Sequence, residues 1–274
     1  MRVGMSSVAF DFTDEVFEDL IKNGITDMEL SRSQEEHDVT DYNEVKKLAD
    51  KHGVNLWSFH LPFSRLDIAA EDKDIRWGVV KYWESLMARS SDCGFDKYVV
   101  HSSWVRKEHT PEQREEMFKC SMECLDYLAE RARSQGAVIA VENLPAHTGC
   151  LGKDSDEILK LASANDNIRV CFDTNHLIGE DAGHFLEKVG SKIITLHVSD
   201  YDYVREKHWF PGEGMVDFHK LYKQICDIGY DKVWMYELRP RAVEEIGRST
   251  ILTFADFARN AKEIFEGKPL TRIY

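Results

Sequence analysis

Apolar positions in this chain fall into short runs of strand character, separated by longer segments with helical spacing. Six times a helix-like segment ends on a glycine and an apolar run follows at once. The glycines are Gly24 before MELS, Gly53 before VNLWSFH, Gly94 before FDKYVVHS, Gly136 before AVIAVEN, Gly190 before IITLHVS and Gly229 before VWMYEL. A glycine at the end of a helix takes left-handed backbone that other residues avoid, so each marks a passage from helix to strand. Residues 3–10 and 168–172 supply two further apolar runs, which gives eight strands alternating with helices.

Helix starts agree with this division. Thr110-Pro111-Glu112-Gln113 sets a cap, a first-turn proline and a capping-box glutamine in order. Asp41-x-x-Glu44 and Asp154-x-x-Glu157 carry a weaker form of the signal. The helix at 111–135 places Met117, Cys120, Cys124, Leu125 and Leu128 on one core-facing stripe. Asp11, Asp14, Glu15, Glu18 and Asp19 read as an acidic helix start and solvated face, and Phe10, Phe12 and Phe17 as core.

Eight βα units can close into a barrel or remain an open doubly wound sheet. No Gly-x-Gly-x-x-Gly follows the first strand and no Walker-type Gly-Lys-Ser/Thr occurs. The pattern therefore predicts an α/β fold, a single (β/α)8 TIM barrel spanning 1–274 as one domain, with its chemistry at the carboxyl ends of the strands.

Composition narrows the setting. The chain has 274 residues, 43% hydrophobic and 31% charged, enough for a sizeable core beneath a solvated surface. A formal net charge of −14 repels polyanions, so nucleic acid is not an expected partner. No apolar run is long enough to span a membrane, and MRVGMSSVAF lacks the layout of a signal peptide. Six cysteines without framework spacing fit a reducing compartment, and the cytoplasm is the expected location.

The stretch 193–214 carries the strongest chemical signal. It begins as a buried strand and then crowds His197, Asp200, Asp202, Arg205, Glu206 and His208 into twelve residues before a Pro-Gly-Glu-Gly turn. Folding does not require such a cluster, and ionisable groups near a core must be paired, hydrated or metal-bound. The other strands end in the same way: Glu29, His60, His101, Glu142, Asp173 with His176, and Glu237. A lone histidine after an apolar run is ordinarily just bonded to backbone. Four successive strand ends bearing Glu142, Asp173, His197 and Glu237 are different, because a barrel converges them. Three carboxylates and an imidazole at one point would repel without a cation, and the donor set suits one divalent ion: Mn, Mg, Co or Zn. His37, His52, His109, His147, His184 and His219 fall in helices or loops and are expected to be solvated. Trp104, Trp209 and Phe210 flank the polar strand ends, as packing or as substrate wall.

VENLP, CFDTNH, LHVSDYD, HWFPGEG and YEL together resemble the xylose-isomerase-like TIM-barrel superfamily, in its sugar-phosphate isomerase/epimerase branch. The resemblance covers nearly the whole chain and specifies the superfamily better than the substrate. It implies that Glu142, Asp173, His197 and Glu237 match the metal ligands of ketose 3-epimerases, and that Glu142 and Glu237 match their acid/base pair. His176 and Arg205 match positions near substrate oxygens. His60, His101, His208 and Trp104 complete the expected substrate-binding set. The same superfamily includes apurinic-site endonucleases with three metals, and His60, His101, Glu142, Asp173, His176, His197, His208 and Glu237 match there as well. Glu206 departs from that pattern, where an aspartate stands, as does Pro211.

The chemistry implied is isomerase chemistry in carbohydrate metabolism. A proton leaves the carbon beside a sugar carbonyl and returns from the other glutamate, to the opposite face or to the adjacent carbon. The expected partner is a small sugar or sugar phosphate, and homo-oligomer formation is compatible with the fold. A keto-polyol dehydratase, the endonuclease and a non-catalytic sugar-binding barrel are the alternatives.

Overall fold

Eight strands pair in parallel in the computed structural model, which describes residues 1–105 and 108–274. They are β1 (Arg2–Ser6), β2 (Ile25–Ser31), β3 (Asn55–His60), β4 (Lys97–Val100), β5 (Val138–Glu142), β6 (Ile168–Asp173), β7 (Ile193–His197) and β8 (Val233–Tyr236). The ladder runs β7-β6-β5-β4-β3-β2-β1-β8, and a parallel bridge from Val198 to Tyr236 joins its two ends. There the Val198 amide donates to the Met235 carbonyl at 2.8 Å, and the Glu237 amide to the Val198 carbonyl at 3.2 Å. The sheet thus closes as the expected (β/α)8 barrel, which removes its free edges.

The helices form the outer layer: α1 (Asp14–Lys22), α2 (Gln34–Val39), α3 (Tyr42–His52), α4 (Lys73–Arg89), α5 (Pro111–Ser134), α6 (Ser155–Ala162), α7 (Ala182–Val189), α8 (Phe218–Asp227) and α9 (Phe254–Phe265). Thr110 and Gln113 make the expected capping box on α5, while Asp41 and Asp154 each cap a helix through the side chain alone. The α5 stripe is buried against the strands as its spacing required. No helix among the described residues is long and apolar enough to cross a membrane.

Three local expectations are corrected. The first strand stops at Ser6 rather than Phe10, because the Ser7 hydroxyl donates to the Ser31 carbonyl at 3.0 Å and accepts from the Ser31 amide at 2.9 Å. The side chain takes the place of the next ladder bond, and the backbone bends away in a 3-10 turn. Five of the six punctuating glycines have φ between +74° and +80°, but Gly190 sits at −48° in helical backbone. Its role is close packing, since a Cβ there would lie 2.9 Å from Ile228 Cγ2. His37 is buried, not solvated. The short α2 lays it on Phe59, with ring centroids 4.9 Å apart, and its Nδ1 is 3.0 Å from the Tyr42 hydroxyl. Burial pushes this imidazole down to about 4.

Inside the barrel, Val99, Ala140 and Cys171 form a small apolar cluster with Ile194 against it. Strand side chains alternate, so each shares a face with the residue two places on: His101, Glu142 and Asp173. The apolar cluster is therefore the floor on which the polar strand ends stand. Below it the Trp57 indole donates to the Thr195 hydroxyl at 3.0 Å, from β3 to β7.

Candidate active site

The same alternation turns the last residues of β5, β6 and β7 inward, and Glu237 follows directly on β8. One donor atom from each of Glu142, Asp173, His197 and Glu237 lies within 4.8 Å of the others. His197 Nδ1 is 3.2 Å from Glu142 Oε1, 3.0 Å from Glu237 Oε2 and 3.9 Å from Asp173 Oδ2. Glu142 Oε1, Asp173 Oδ2 and His197 Nδ1 are buried and have no hydrogen-bond partner. A single orphaned polar atom costs about 1–3 kcal/mol, so three gathered together call for a ligand. Oxygen donors with one imidazole nitrogen fit a divalent cation.

The other atoms of these side chains are held. His197 Nε2–H donates to Glu29 Oε2 at 3.0 Å, and the Ser58 hydroxyl donates to the same oxygen at 2.8 Å. Asn143 completes the β5–β6 edge: its Oδ1 accepts from the Asp173 amide at 2.8 Å and its Nδ2 donates to the Asp173 carbonyl at 2.9 Å. Asp173 Oδ1 in turn accepts from the Asn175 amide at 2.6 Å. Only Oδ2 then remains for the cluster.

Two histidines close on Glu142 from β3 and β4. His60 Nε2 is 3.1 Å and His101 Nε2 3.2 Å from Glu142 Oε2. His60 Nδ1 also faces the Leu61 carbonyl at 2.8 Å, so both its nitrogens meet acceptors, as in an imidazolium. Burial alone would lower the His60 pKa, but Glu142 holds it raised, whereas burial keeps that of His101 lowered. Burial alone would also raise the carboxyls. His197 and His101 reverse this for Glu142, which lies well below its ordinary range, and His197 holds Glu237 at about 2. Burial keeps Asp173 up at about 7. The two glutamates are ionised, and the aspartate carries the excess charge least readily.

Above this floor opens a cavity of about 260 Å³. His101, Glu142, His176, Glu206, His208 and Glu237 give its polar wall, and Phe63, Trp104, Leu144, Pro145 and Leu238 its apolar wall. Phe63 stacks on His101 with centroids 4.0 Å apart. His176 Nδ1 is 3.2 Å from Glu142 Oε1, and His208 Nε2–H donates to Glu206 Oε1 at 2.9 Å. His208 adopts a left-handed φ of +49°, unusual for a non-glycine residue and held here by the Asn175 side chain accepting from its amide. His60, Asp173 and His197 lie beneath the lining, fully buried.

The structure therefore brings together the expected ligands and His60, His101, His176, His208 and Trp104. Arg205 is the exception: it is exposed, lies outside the lining, and its amide caps onto Asp202. A β7–α8 loop of this length carries it past the mouth, and among the described residues Arg239 is the guanidinium on the wall instead. Sequence reasoning named Glu29 as a strand end but gave it no role, and it passed over Asn143 and Arg239. The asparagine in VENLP was a usable signal, whereas nothing local marks Arg239. Asp200 serves the backbone, accepting from the amides of Gly212, Gly214 and Val216 at 2.9, 2.8 and 3.1 Å. A Cβ at Gly214 would lie 2.4 Å from Asp200 Oδ1, which explains the glycine in the Pro-Gly-Glu-Gly turn.

A family model described as a xylose isomerase-like TIM barrel matches residues 17–254. D-psicose 3-epimerase of Ruminiclostridium cellulolyticum is 24% identical over 227 residues, covering 81% of this chain and 75% of that protein. Among solved structures, a D-tagatose 3-epimerase-like protein superposes with a TM-score of 0.82 at 22% identity, over 97% of both chains. The IOLI protein with a bound zinc atom gives a TM-score of 0.77 at 18% identity, also over 97% of each.

Proposed function

The chain belongs to the xylose isomerase-like TIM-barrel family, and from that premise we propose that it is a metal-dependent isomerase or epimerase of a ketose, keto-polyol or sugar phosphate. Residues 1–274 act as one domain in this reading. The observation that carries it is the set of three orphaned buried atoms, Glu142 Oε1, Asp173 Oδ2 and His197 Nδ1, gathered with Glu237 at the cavity floor. These four residues would hold one divalent ion of Mn, Zn, Mg or Co. When bound, such an ion supplies the Lewis acidity that stabilises developing negative charge on a carbonyl oxygen.

The residues supply the proton traffic. Glu142 and Glu237 come from strands with β6 and β7 between them, so they approach a bound sugar from different directions. One removes the proton beside the carbonyl, and the other returns it to the opposite face for epimerisation or to the adjacent carbon for isomerisation. His60 and His101 fix Glu142 Oε2, while His197 and His101 keep the carboxylate ionised. His176, His208 and Trp104 receive the hydroxyls and ring face, while Phe63, Leu144, Pro145 and Leu238 keep water away from the carbanionic carbon. The test is deuterium. Metal-loaded protein incubated with a panel of ketoses and ketose phosphates in heavy water should label the carbon next to the carbonyl. Absence of label in every sugar would remove the proposal.

A second reading has an observation of its own. His60, His101 and Glu142 form one further group with metal-ligand spacing, and His176, Glu206 and His208 form another. Three metals would favour hydrolysis of an abasic-site phosphodiester. Elemental analysis of reloaded protein decides: close to one ion per chain supports the isomerase, close to three the endonuclease.

A further inference from the structure

The cavity wall beyond Glu237 carries a cation that the proton chemistry leaves unused. In this acidic chain most arginines are tied down, as Arg2 is to Asp27, Arg114 to Glu157 and Arg248 to Glu213. Arg239 is not. It lines the cavity beside Glu237 and Leu238 and is exposed there. Apart from a through-space effect on Glu36, its guanidinium has no hydrogen bond or ion pair among the described residues. It also lines a neighbouring groove that shares Glu206 and His208 with the cavity, and Arg241 and Lys207 stand with it there. Lys207 is already engaged by Glu245 and Asp202.

We propose that Arg239 anchors an anionic substituent, a phosphate ester or a carboxylate, at the end of the ketose remote from the reacting carbon. The inference rests on the isomerase reading of the site and narrows its substrate to anionic ketoses. The chemistry of the wall argues for it. Glu142, Glu206 and Glu237 would repel an anion, so a charged sugar needs a counter-charge held apart from them. A guanidinium presents parallel N–H donors that match two oxygens of a carboxylate or phosphate. Its position fits as well. Arg239 follows Glu237 by two residues, at most about 7 Å along the backbone, so a sugar whose carbonyl end meets Glu237 brings its far end to Arg239.

The backbone presenting Arg239 is fixed in advance. Pro240 confines the residue before it to extended conformations. The Leu252 amide donates to the Pro240 carbonyl at 2.8 Å. Buried Arg248 donates through Nε to Glu213 Oε1 at 2.5 Å and through Nη1 to the Arg241 carbonyl at 2.5 Å. The loop after β8 is thus tied to the Pro-Gly-Glu-Gly turn. An arginine kept only to balance the site's carboxylates would act on every substrate alike, and that difference makes the proposal testable.

The experiment uses metal-loaded protein and pairs each of D-fructose, D-ribulose and D-xylulose with its terminal phosphate, with D-fructuronate as the carboxylate probe. Binding is measured by calorimetry and exchange by deuterium uptake from heavy water. The expected result is tighter binding of an anionic member than of its neutral counterpart. Arg239→Gln should then weaken the anionic sugar roughly 10–100-fold and the neutral one far less, with Arg239→Lys restoring part of the loss. The phosphate and fructuronate arms identify which anion is recognised. Equal binding within every pair, binding of none of the probes, or an equal loss for neutral and anionic sugars in Arg239→Gln overturns the proposal. An anion preference that Arg239→Gln abolishes, with no deuterium uptake by any sugar, upholds the anchor and removes the isomerase reading alone.

Discussion

His197 Nε2 lies 3.0 Å from Glu29 Oε2, and this contact determines which nitrogen of the imidazole serves the site. With Nε2–H donating to Glu29, Nδ1 is the nitrogen that faces Glu142, Asp173 and Glu237, and a cation bound there would displace its proton and take the lone pair. Glu29→Leu should therefore weaken divalent-metal affinity by about 10–100-fold, as losses of such supporting partners do. Glu29→Gln keeps an acceptor and should cost less. Chelator-competition titrations read both, and an unchanged affinity in Glu29→Leu would mean that the ring is oriented by something else.

Removing the metal tests the orphaned atoms. Without a ligand the three carboxylates meet with only histidine protons between them, so a divalent ion should raise the melting temperature. At a free-ion concentration about 1,000-fold above Kd, mass action adds about 4 kcal/mol, on the order of 10 °C for a chain of this size. Asp173→Asn should abolish most of that gain while leaving the metal-free protein no less stable, since burial already pushes the Asp173 carboxyl up to about 7. Scanning calorimetry with and without chelator checks it.

Glu142→Gln and Glu237→Gln keep the shape and one oxygen donor but remove the base. Positioned acid–base groups contribute about 10²–10⁴-fold, so either change should slow deuterium exchange by at least that order. Metal content must be measured in each variant, because both residues are proposed ligands. Wild-type exchange in both metal-loaded variants would place the proton transfer elsewhere.

His37 gives a pH-dependent stability term away from the site. Burial lowers its pKa from 6.5 to about 4 in the folded protein. Above pH 6.5 the ring is neutral in both states and its contribution is fully present. As the pH falls from 6.5 towards 4, the unfolded chain takes up a proton that the folded chain refuses, so stability is lost, by up to about 3 kcal/mol. His37→Gln lacks this term. Urea unfolding of the two proteins between pH 7 and pH 4 should show the wild type losing more stability than the variant, and parallel curves would refute the assignment.

What the sequence determined by itself follows from periodicity and local backbone chemistry. Alternating strands, capping boxes and left-handed glycines are properties of a few neighbouring residues, so eight βα units and the closed barrel were legible. Once closure is assumed, strand-end residues must converge, and the Glu142, Asp173, His197 and Glu237 cluster follows. The tertiary structure decided everything that depends on which atom of a side chain faces which neighbour. The choice of His197 Nδ1 over Nε2 needs Glu29 from the other side of the barrel, 168 residues away. The burial of His37 needs Phe59 beneath a helix too short to show its face by periodicity. The exclusion of Arg205 and the presence of Arg239 depend on the paths of two long loops, where no repeating pattern constrains the chain and only packing across the barrel mouth fixes where a side chain ends.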